Sequence, residues 1–232
     1  HCRYEGDAVA GVCAETPYQA WDAAGAIRVD YEVLPFVSDE REAQDPKSPA
    51  VAGNDNRIGK TDKYERGDVE KGFTEAHVVL ETEYRTECEI QTPIEPHGCV
   101  AKWDGDHLTL WHSTQGVFYI QQQVAEVFGM PLSKVRVIGR YMGGGFGSKL
   151  EAGKYTIVAA LLAKMTGRPV KVLLSREQTF LVTGNRPPSN MKLKAGVKKD
   201  GTLTALQFSV LGTGGAYESG GISLTDWLIR DL

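Results

Sequence analysis

The chain has 232 residues, of which 41% are hydrophobic, and this is enough for one large domain or two small ones with a packed core. A formal charge of −4, with scattered lysines and arginines, gives no electrostatic reason to bind nucleic acid or an anionic membrane surface. No apolar run approaches the roughly 20 residues that span a bilayer, and the first residues lack the order of a signal peptide. We therefore expect a soluble, cytoplasmic protein that binds neither nucleic acid nor membrane.

The first 37 residues alternate strand and helix signals. Residues 8–14 form a short apolar run typical of a strand, and Thr16 followed by Pro17 predicts the N-cap and first residue of a helix. Residues 27–35 alternate apolar and charged side chains, which predicts a half-buried strand. Periodicity is then lost from residue 38 to residue 63, where polar residues, proline and glycine dominate, and this predicts a linker.

Residues 64–232 predict a larger second part with mixed helices and strands, so the fold class expected for the chain is α+β. The two predicted hairpins turn at Asp104-Gly105 and Asp200-Gly201, pairs that tolerate the positive φ of a tight turn. In chain order we expect a strand over 77–87, a hairpin over 99–113, a helix over 116–129, a strand over 134–141, a helix over 151–165, a strand over 168–175 and a hairpin over 191–215.

Both long helices of this part show an apolar stripe that predicts their buried faces. In the earlier helix the stripe consists of Val117, Ile120, Val124 and Phe128. In the later helix it consists of Ile157, Ala160, Leu161 and Met165. The four cysteines include no C-x-x-C pair, so we expect buried reduced thiols and no zinc or iron–sulfur site: Cys2, Cys13, Cys88 and Cys99.

The stretch YMGGGFGSKLE, residues 141–151, separates the predicted strand at 134–141 from the next helix. Glycine lets a backbone approach a ligand closely, and amides at a helix N-terminus favour an anion, but a plain tight turn explains the glycines about equally well. The dinucleotide pattern fails at Ser148, and the P-loop pattern fails at Leu150. Neither a nicotinamide cofactor nor ATP is therefore well supported.

Three other polar stretches are candidates for function. Glu95 and His97 are compatible with a metal, although a structural role is more common for such a pair. Ser113 or Thr114 suits a helix cap, whereas Gln115 caps poorly and suits a ligand contact. The stretch LSREQTF, residues 174–180, reads as a strand end followed by a polar turn that carries a surface ion pair between its arginine and its glutamate.

Taken in order, these stretches resemble the molybdenum-cofactor-binding subunit of the xanthine dehydrogenase and aldehyde oxidase family of molybdenum hydroxylases. Residues 1–37 resemble the end of the family's α/β hammerhead domain. Residues 64–232, with WHSTQ, VIGRYMGGGFGSK and LLSREQTFLVTGNRPP, resemble the first part of its molybdopterin-binding α+β domain, after the linker at 38–63. The resemblance covers nearly the whole chain.

The resemblance implies roles for individual residues. It places Gln115 and Phe146 at the molybdenum centre, and it places the cofactor against Gly144, Gly145, Phe146 and Gly147. Family members specific for xanthine carry glutamate where this chain has Leu150, so Leu150 is the candidate substrate contact and argues against a purine. The family's general-base glutamate is expected beyond Leu232, so no catalytic residue is assigned here and the active site is expected to be incomplete.

The resemblance also implies a reaction and its partners. Family members hydroxylate an electron-poor carbon of an N-heterocycle or an aldehyde with oxygen from water. Electrons then pass through [2Fe-2S] clusters to FAD, so we expect an iron–sulfur subunit, an FAD subunit and the remainder of the molybdopterin-binding subunit as partners. Two alternatives stay open, which are an aromatic acyl-CoA reductase of the same family and a non-catalytic scaffold that binds molybdopterin.

Overall fold

The computed structural model describes residues 1–53, 55–57, 61 and 63–217. These residues form helices and two sheets, one mixed and one antiparallel, so the predicted α+β fold class is confirmed. The chain divides into two compact units, the first made of His1–Tyr31 and Ile90–Asn185 and the second of Glu32–Glu89 and Arg186–Leu232. Within the described ranges, no helix is both long enough and apolar enough to cross a membrane.

From residue 64 onward the predicted strands and the two predicted long helices form in the expected order, together with two short helices that were not predicted, Val69–Thr74 and Arg176–Val182. The helices are α1 Pro17–Gly25, α2 Val69–Thr74, α3 Val117–Phe128, α4 Lys154–Thr166 and α5 Arg176–Val182. The strands are β1 Val78–Thr86, β2 Gly98–Asp104, β3 His107–His112, β4 Val135–Ile138, β5 Val170–Leu173, β6 Ser189–Val197 and β7 Leu203–Gly212. Short 3₁₀ turns cover Glu42–Gln44 and Leu132–Lys134.

The first unit contains a four-stranded sheet in the order β4-β3-β2-β5. The predicted hairpin forms from β2 and β3, with Cys99 opposite His112, and β5 pairs antiparallel with β2 on the other side. β4 runs parallel to β3 because α3 connects the two strands as a crossover. One face of the sheet packs against α3 and α4, where alternate strand residues such as Ala101, Leu108 and Leu110 are fully buried.

The buried face of α4 differs from the predicted stripe. Thr156, Ala159, Ala160 and Ala163 face the sheet, whereas Met165 is 80% exposed. The small side chains let the helix backbone approach β2, and the Trp103 indole N–H donates a hydrogen bond to the Ala160 carbonyl at 2.8 Å. Close approach, rather than side-chain size, therefore decides which face of this helix is inside. The α3 stripe is confirmed at its centre, since Ile120 and Val124 are fully buried.

The N-terminal residues confirm the predicted helix but not the two predicted strands. Thr16 caps α1 with a capping box, in which the Gln19 backbone N–H donates to the Thr16 hydroxyl at 3.3 Å. Residues 8–14 are not a strand, because this segment packs along a helix, with Gly11 against Val158 of α4. Residues 27–35 are not a strand either, because none of the strands in the described ranges pairs with them.

The second unit contains a three-stranded antiparallel sheet in the order β1-β6-β7. The predicted hairpin of β6 and β7 turns at Gly201, which has a φ of +88°. α2 packs against β7 so closely that a Cβ on Gly72 would lie 2.9 Å from the Ala205 Cβ. Within the predicted linker, residues 54, 58–60 and 62 lie outside the described residues. The domain boundaries at 37 and 63 stay predictions.

All four cysteines are free thiols. Cys99 is buried in the core and burial raises the pKa of its thiol to about 12, so it is an inert core residue. The prediction that all four are buried is wrong, however, because Cys2 and Cys88 are exposed. Both lie in segments without regular secondary structure, where sequence periodicity gives no information about burial.

The core of the first unit can be tested at Leu110, which is fully buried in β3. We expect Leu110→Ala to lower the free energy of unfolding by about 2 to 5 kcal/mol, because it removes buried methyl groups and leaves a cavity. Leu132→Ala is the matched control, since Leu132 is exposed, and it should change stability little. Urea unfolding of both variants measures the difference, and equal effects would contradict the assigned core.

Candidate functional site

The glycine loop, residues 143–149, lies between β4 and α4 in the first unit. It turns back on itself at Ser148, whose N–H and hydroxyl both donate to the Gly145 carbonyl, at 2.9 and 2.8 Å. Gly144 and Gly147 have φ values of +93° and +95°, which glycine adopts without strain. Phe146 has a φ of +52°, an uncommon conformation for an aromatic residue, and its side chain is 71% exposed. The loop therefore holds a strained backbone of the kind found at functional sites.

Gln115, which lies between β3 and α3, forms hydrogen bonds directly with this loop. Its side-chain Oε1 accepts hydrogen bonds from the N–H groups of Gly147 at 2.9 Å and Lys149 at 3.2 Å. Its backbone N–H donates to the Lys149 carbonyl at 2.9 Å. Because two N–H donors require an oxygen acceptor, the orientation of the amide is determined. Its NH₂ group makes no hydrogen bond to the described residues, and Gln115 is exposed, so two donor hydrogens remain available.

The loop offers further donors of its own. The backbone N–H groups of Gly144, Gly145 and Phe146 make no hydrogen bond within the described ranges, although Gly145 is buried. Buried backbone donors in native proteins almost always have a partner, so the unbonded N–H of Gly145 is available to an acceptor from outside the chain, together with those of half-buried Gly144 and exposed Phe146. A Cβ placed on Gly147 would meet nothing within 4 Å, so this side of the loop is open. Successive N–H groups of this kind bind oxygen-rich anions.

Glu95 forms the second hydrogen-bond centre of the site. Its Oε2 accepts from the Ser113 hydroxyl at 2.6 Å and the Gly143 N–H at 2.7 Å, and it pairs with Lys149 Nζ at 3.0 Å. Burial raises the pKa of Glu95, but these three donors together outweigh burial, and the pKa lies below its ordinary value. The carboxylate is therefore ionised at neutral pH.

His97 supports the same loop from the core. It is fully buried, and its Nε2–H donates to the Ser148 carbonyl at 3.0 Å. Burial lowers the pKa of His97, so the ring is neutral and Nδ1 carries no proton. No group of three or more His, Cys, Asp or Glu residues in the described ranges could hold a metal ion. The structural role, rather than the metal site, is the one that the geometry shows for Glu95 and His97.

His112 connects the end of β3 to α4. The Ser113 carbonyl can only accept, so His112 Nδ1 carries the proton and donates to it at 3.1 Å, while Nε2 accepts from the Thr156 hydroxyl at 2.8 Å. Burial lowers the pKa of His112 to about 4.

Ser113 does not cap α3, since its hydroxyl binds Glu95, and the Thr114 hydroxyl accepts from the Gly116 N–H at 3.0 Å.

Within the stretch at 174–180 the chain enters helix α5 at Arg176, which corrects the predicted polar turn. Ser175 caps α5 in a capping box with Gln178, and the S-x-x-Q spacing is the sequence signal that identifies it. Arg176 does not form the predicted surface pair with Glu177. Its Nη2 donates instead to the Pro93 and Ile94 carbonyls, at 2.7 and 2.9 Å. Arg176 thus holds the segment that leads into Glu95.

The structure brings most of the candidate residues together. Gln115 contacts Gly145 and Gly147, and a Cβ on Gly145 would lie 2.6 Å from Gln115 Cδ. Leu150 directly follows the loop and is 41% exposed. Sequence reasoning missed the pairing of Glu95 with Lys149, which are 54 residues apart and carry no motif that links them.

Comparison with known proteins identifies the family. The sequence model of the molybdopterin cofactor-binding domain matches residues 51–232. The chain belongs to this family. Among relatives, the nicotinate dehydrogenase large molybdopterin subunit of Eubacterium barkeri is 39% identical over 94% of this chain and 51% of its own length. Mouse xanthine dehydrogenase/oxidase is 33% identical over 92% of this chain and 16% of its own length.

The fold of this molybdopterin cofactor-binding domain agrees with solved structures. The aldehyde oxidoreductase from Desulfovibrio gigas matches with a TM-score of 0.77 and 28% sequence identity, over 86% of this chain and 22% of its own. The chain therefore spans about half or less of the length of these relatives. The resemblance to the xanthine dehydrogenase and aldehyde oxidase family is confirmed, and with it the molybdopterin cofactor.

The contact of Gly145 with Gln115 predicts a steric effect on the site. We expect Gly145→Ala to lower the molybdenum content of the purified full-length protein, because the new methyl group displaces the Gln115 side chain from the loop. Gly184→Ala is the matched control, since a Cβ there would meet nothing within 4 Å. Elemental analysis measures the content, and a value for Gly145→Ala equal to that of the control would contradict this geometry.

Burial of neutral His112 predicts a loss of stability in mild acid. The folded-state pKa, about 4, is lower than the ordinary 6.5, so protonation favours unfolding. The stabilisation of the folded state by neutral His112 is complete above pH 6.5 and is lost as the pH falls from 6.5 to 4. The total loss is about 3 kcal/mol, at roughly 1.4 kcal/mol per pH unit. Free energies of unfolding between pH 7 and 4.5 should fall less steeply for His112→Asn. The exposed His107→Asn should behave as the wild type, and parallel curves for all three would contradict the prediction.

Proposed function

We propose that this chain is part of a molybdenum-dependent oxidoreductase of the xanthine dehydrogenase and aldehyde oxidase type. In this proposal Gln115 and the loop Gly144–Gly147 hold the molybdenum–pterin cofactor, with Gln115 and the Phe146 N–H at the molybdenum centre. The observation that carries the proposal is the set of unbonded donors on one loop. Three successive N–H groups and the Gln115 NH₂ all lack an acceptor within the described ranges.

The donor set fits an oxygen-rich, anionic group. Gly144, Gly145 and Phe146 offer backbone N–H groups, and the open side of Gly147 leaves space next to the loop. When bound, the cofactor supplies the redox centre at which a substrate carbon is hydroxylated with oxygen from water. The part of this chain is to bind and orient that group. Preorganised donors such as the Gln115 amide also stabilise negative charge that develops on oxygen during the reaction.

We further propose an N-heterocycle as the substrate class. The relative with 39% identity is a nicotinate dehydrogenase, named for an N-heterocyclic substrate. Leu150, which is 41% exposed beside the loop, presents an apolar side chain where xanthine-specific members are expected to carry glutamate. An apolar contact at this place suits the ring of a heterocycle and offers no acceptor to the N–H groups of a purine.

The proton-accepting group of the reaction is proposed to lie outside residues 1–232. Glu95 is the carboxylate that contacts the glycine loop, but three donors bind its Oε2 and lower its pKa, which makes it a poor base. The active site of this chain alone is accordingly incomplete. We propose that an iron–sulfur subunit with [2Fe-2S] clusters, an FAD subunit and the rest of the molybdopterin-binding subunit complete the enzyme.

Purification of the native complex tests the proposed enzyme. We expect molybdenum, iron and flavin to copurify with this chain, and we expect an N-heterocycle to reduce the iron–sulfur centres. Molybdenum without iron, flavin or turnover would favour the alternative of a non-catalytic molybdopterin-binding scaffold. Turnover of an aromatic acyl-CoA instead of a heterocycle would favour the reductase. Absence of molybdenum from the intact complex would contradict the proposal itself.

The amide of Gln115 can be tested separately from the loop. We expect Gln115→Glu to keep the bonds from Gly147 and Lys149, because a carboxylate also accepts, but to replace the NH₂ donor by a negatively charged acceptor. Turnover should fall about 100-fold to 1,000-fold, the loss that follows when one oxyanion donor is removed from an active site. Gln115→Ala should reduce turnover as well, and Gln122→Ala, on the exposed side of α3, is the control. Full turnover in the Gln115→Glu enzyme would contradict the donor role.

A further inference from the structure

A single carboxylate oxygen, Oε2 of Glu95, holds both ends of the glycine loop. It accepts from the Gly143 N–H at 2.7 Å at the beginning of the loop and from Lys149 Nζ at 3.0 Å at its end. Lys149 Nζ also donates to the Glu95 carbonyl at 2.9 Å, and the Glu95 N–H donates to the Gly143 carbonyl at 3.3 Å. The residues that carry the unbonded donors lie between these two anchors.

The ion pair between Glu95 and Lys149 is linked to Gln115 through the backbone of Lys149. The Lys149 N–H donates to the Gln115 side chain, and the Lys149 carbonyl accepts from the Gln115 backbone and from the Thr114 hydroxyl at 2.9 Å. Glu95 makes no hydrogen bond to Gln115 itself. Any influence of Glu95 on the Gln115 amide therefore passes through the position of Lys149.

We propose that Glu95 is a positioning residue, which fixes the glycine loop and, through Lys149, the Gln115 amide in the geometry that receives the cofactor. This inference rests on the proposed function of the loop. It assigns to Glu95 no contact with the cofactor or the substrate. The role depends on the negative charge of the carboxylate, because the partner at the far end of the loop is a cation.

The burial of the two partners differs, and this difference makes the role testable. The Lys149 side chain is 0% exposed, whereas that of Glu95 is 39% exposed. Within the described ranges, Lys149 Nζ donates only to the backbone carbonyl oxygen and to Oε2 of Glu95. Removal of the Glu95 charge leaves a buried, unpaired ammonium, which is strongly unfavourable. Removal of the Lys149 charge leaves a carboxylate that is still partly exposed to solvent and that still accepts hydrogen bonds from Ser113 and Gly143.

The experiment uses the full-length subunit in its complex. It compares Glu95→Gln, Lys149→Met and the double variant, with Glu126→Gln, an exposed residue of α3, as the control. The first quantity measured is the molybdenum content of each variant. The second is the rate of amide hydrogen exchange in cofactor-free protein, followed in peptides that cover residues 146–150. The amides of Gly147 and Lys149 are informative because Gln115, rather than Glu95, is their acceptor.

We expect Glu95→Gln to speed exchange of these amides about tenfold, the effect of losing a hydrogen bond to a charged group, and to lower molybdenum content. The midpoint of thermal unfolding should also fall, because an unpaired ammonium is left in the protein interior. Lys149→Met should have a smaller effect on both quantities. The double variant should recover part of the wild-type behaviour, because no unpaired charge is then buried.

The outcomes separate this inference from the proposed function. Unchanged exchange in both single variants, or faster exchange with unchanged molybdenum content, would overturn the positioning role. A double variant worse than Glu95→Gln would overturn the dependence on charge. If Glu95→Gln does not fold, the Lys149→Met variant alone decides, since the inference requires faster exchange and lower molybdenum content there also. Absence of molybdenum from the wild-type complex would overturn the proposed function, whatever the exchange data show.

Discussion

The ammonium group of Lys149, buried and neutralised by Glu95, is the constraint on which the candidate site depends. A charged amine without water requires a carboxylate and further acceptors, so the segment that carries Glu95 cannot move away from the end of the loop. The backbone of Lys149 is bonded in turn to Gln115 and to Thr114. The ion pair therefore anchors the end of the glycine loop to the segment that carries Glu95, and the backbone of Lys149 links this anchor to Gln115.

The supports of the site come from the core of the same unit. His112 links the end of β3 to Thr156 of α4, and His97 links the segment before β2 to the Ser148 carbonyl. Both rings are neutral because they are buried, so they act as fixed hydrogen-bond partners at neutral pH. The alanine face of α4, the helix that follows the loop, allows this helix to pack closely against β2 of the sheet.

Local signals in the sequence predicted the local features of this structure. The glycine loop, the two Asp-Gly hairpins and the Thr16 cap each depend on a few adjacent residues, and all form where expected. The strands at 8–14 and 27–35 failed because a strand needs a partner, which a single segment cannot specify. The pairing of Glu95 with Lys149 and the buried face of α4 depend on contacts distant in sequence. The family resemblance, rather than periodicity, pointed to Gln115.

The orientation of the Gln115 amide gives the site a chemical polarity. Because Oε1 accepts hydrogen bonds from the loop, the side chain directs only N–H groups outward, next to the unbonded N–H groups of Gly144, Gly145 and Phe146. Such a surface discriminates between protonation states of its ligand, since an oxygen that carries a proton would face another donor hydrogen. Binding should therefore be linked to proton release, and a ligand with pKa values near neutrality would leave its protons in solution as it enters.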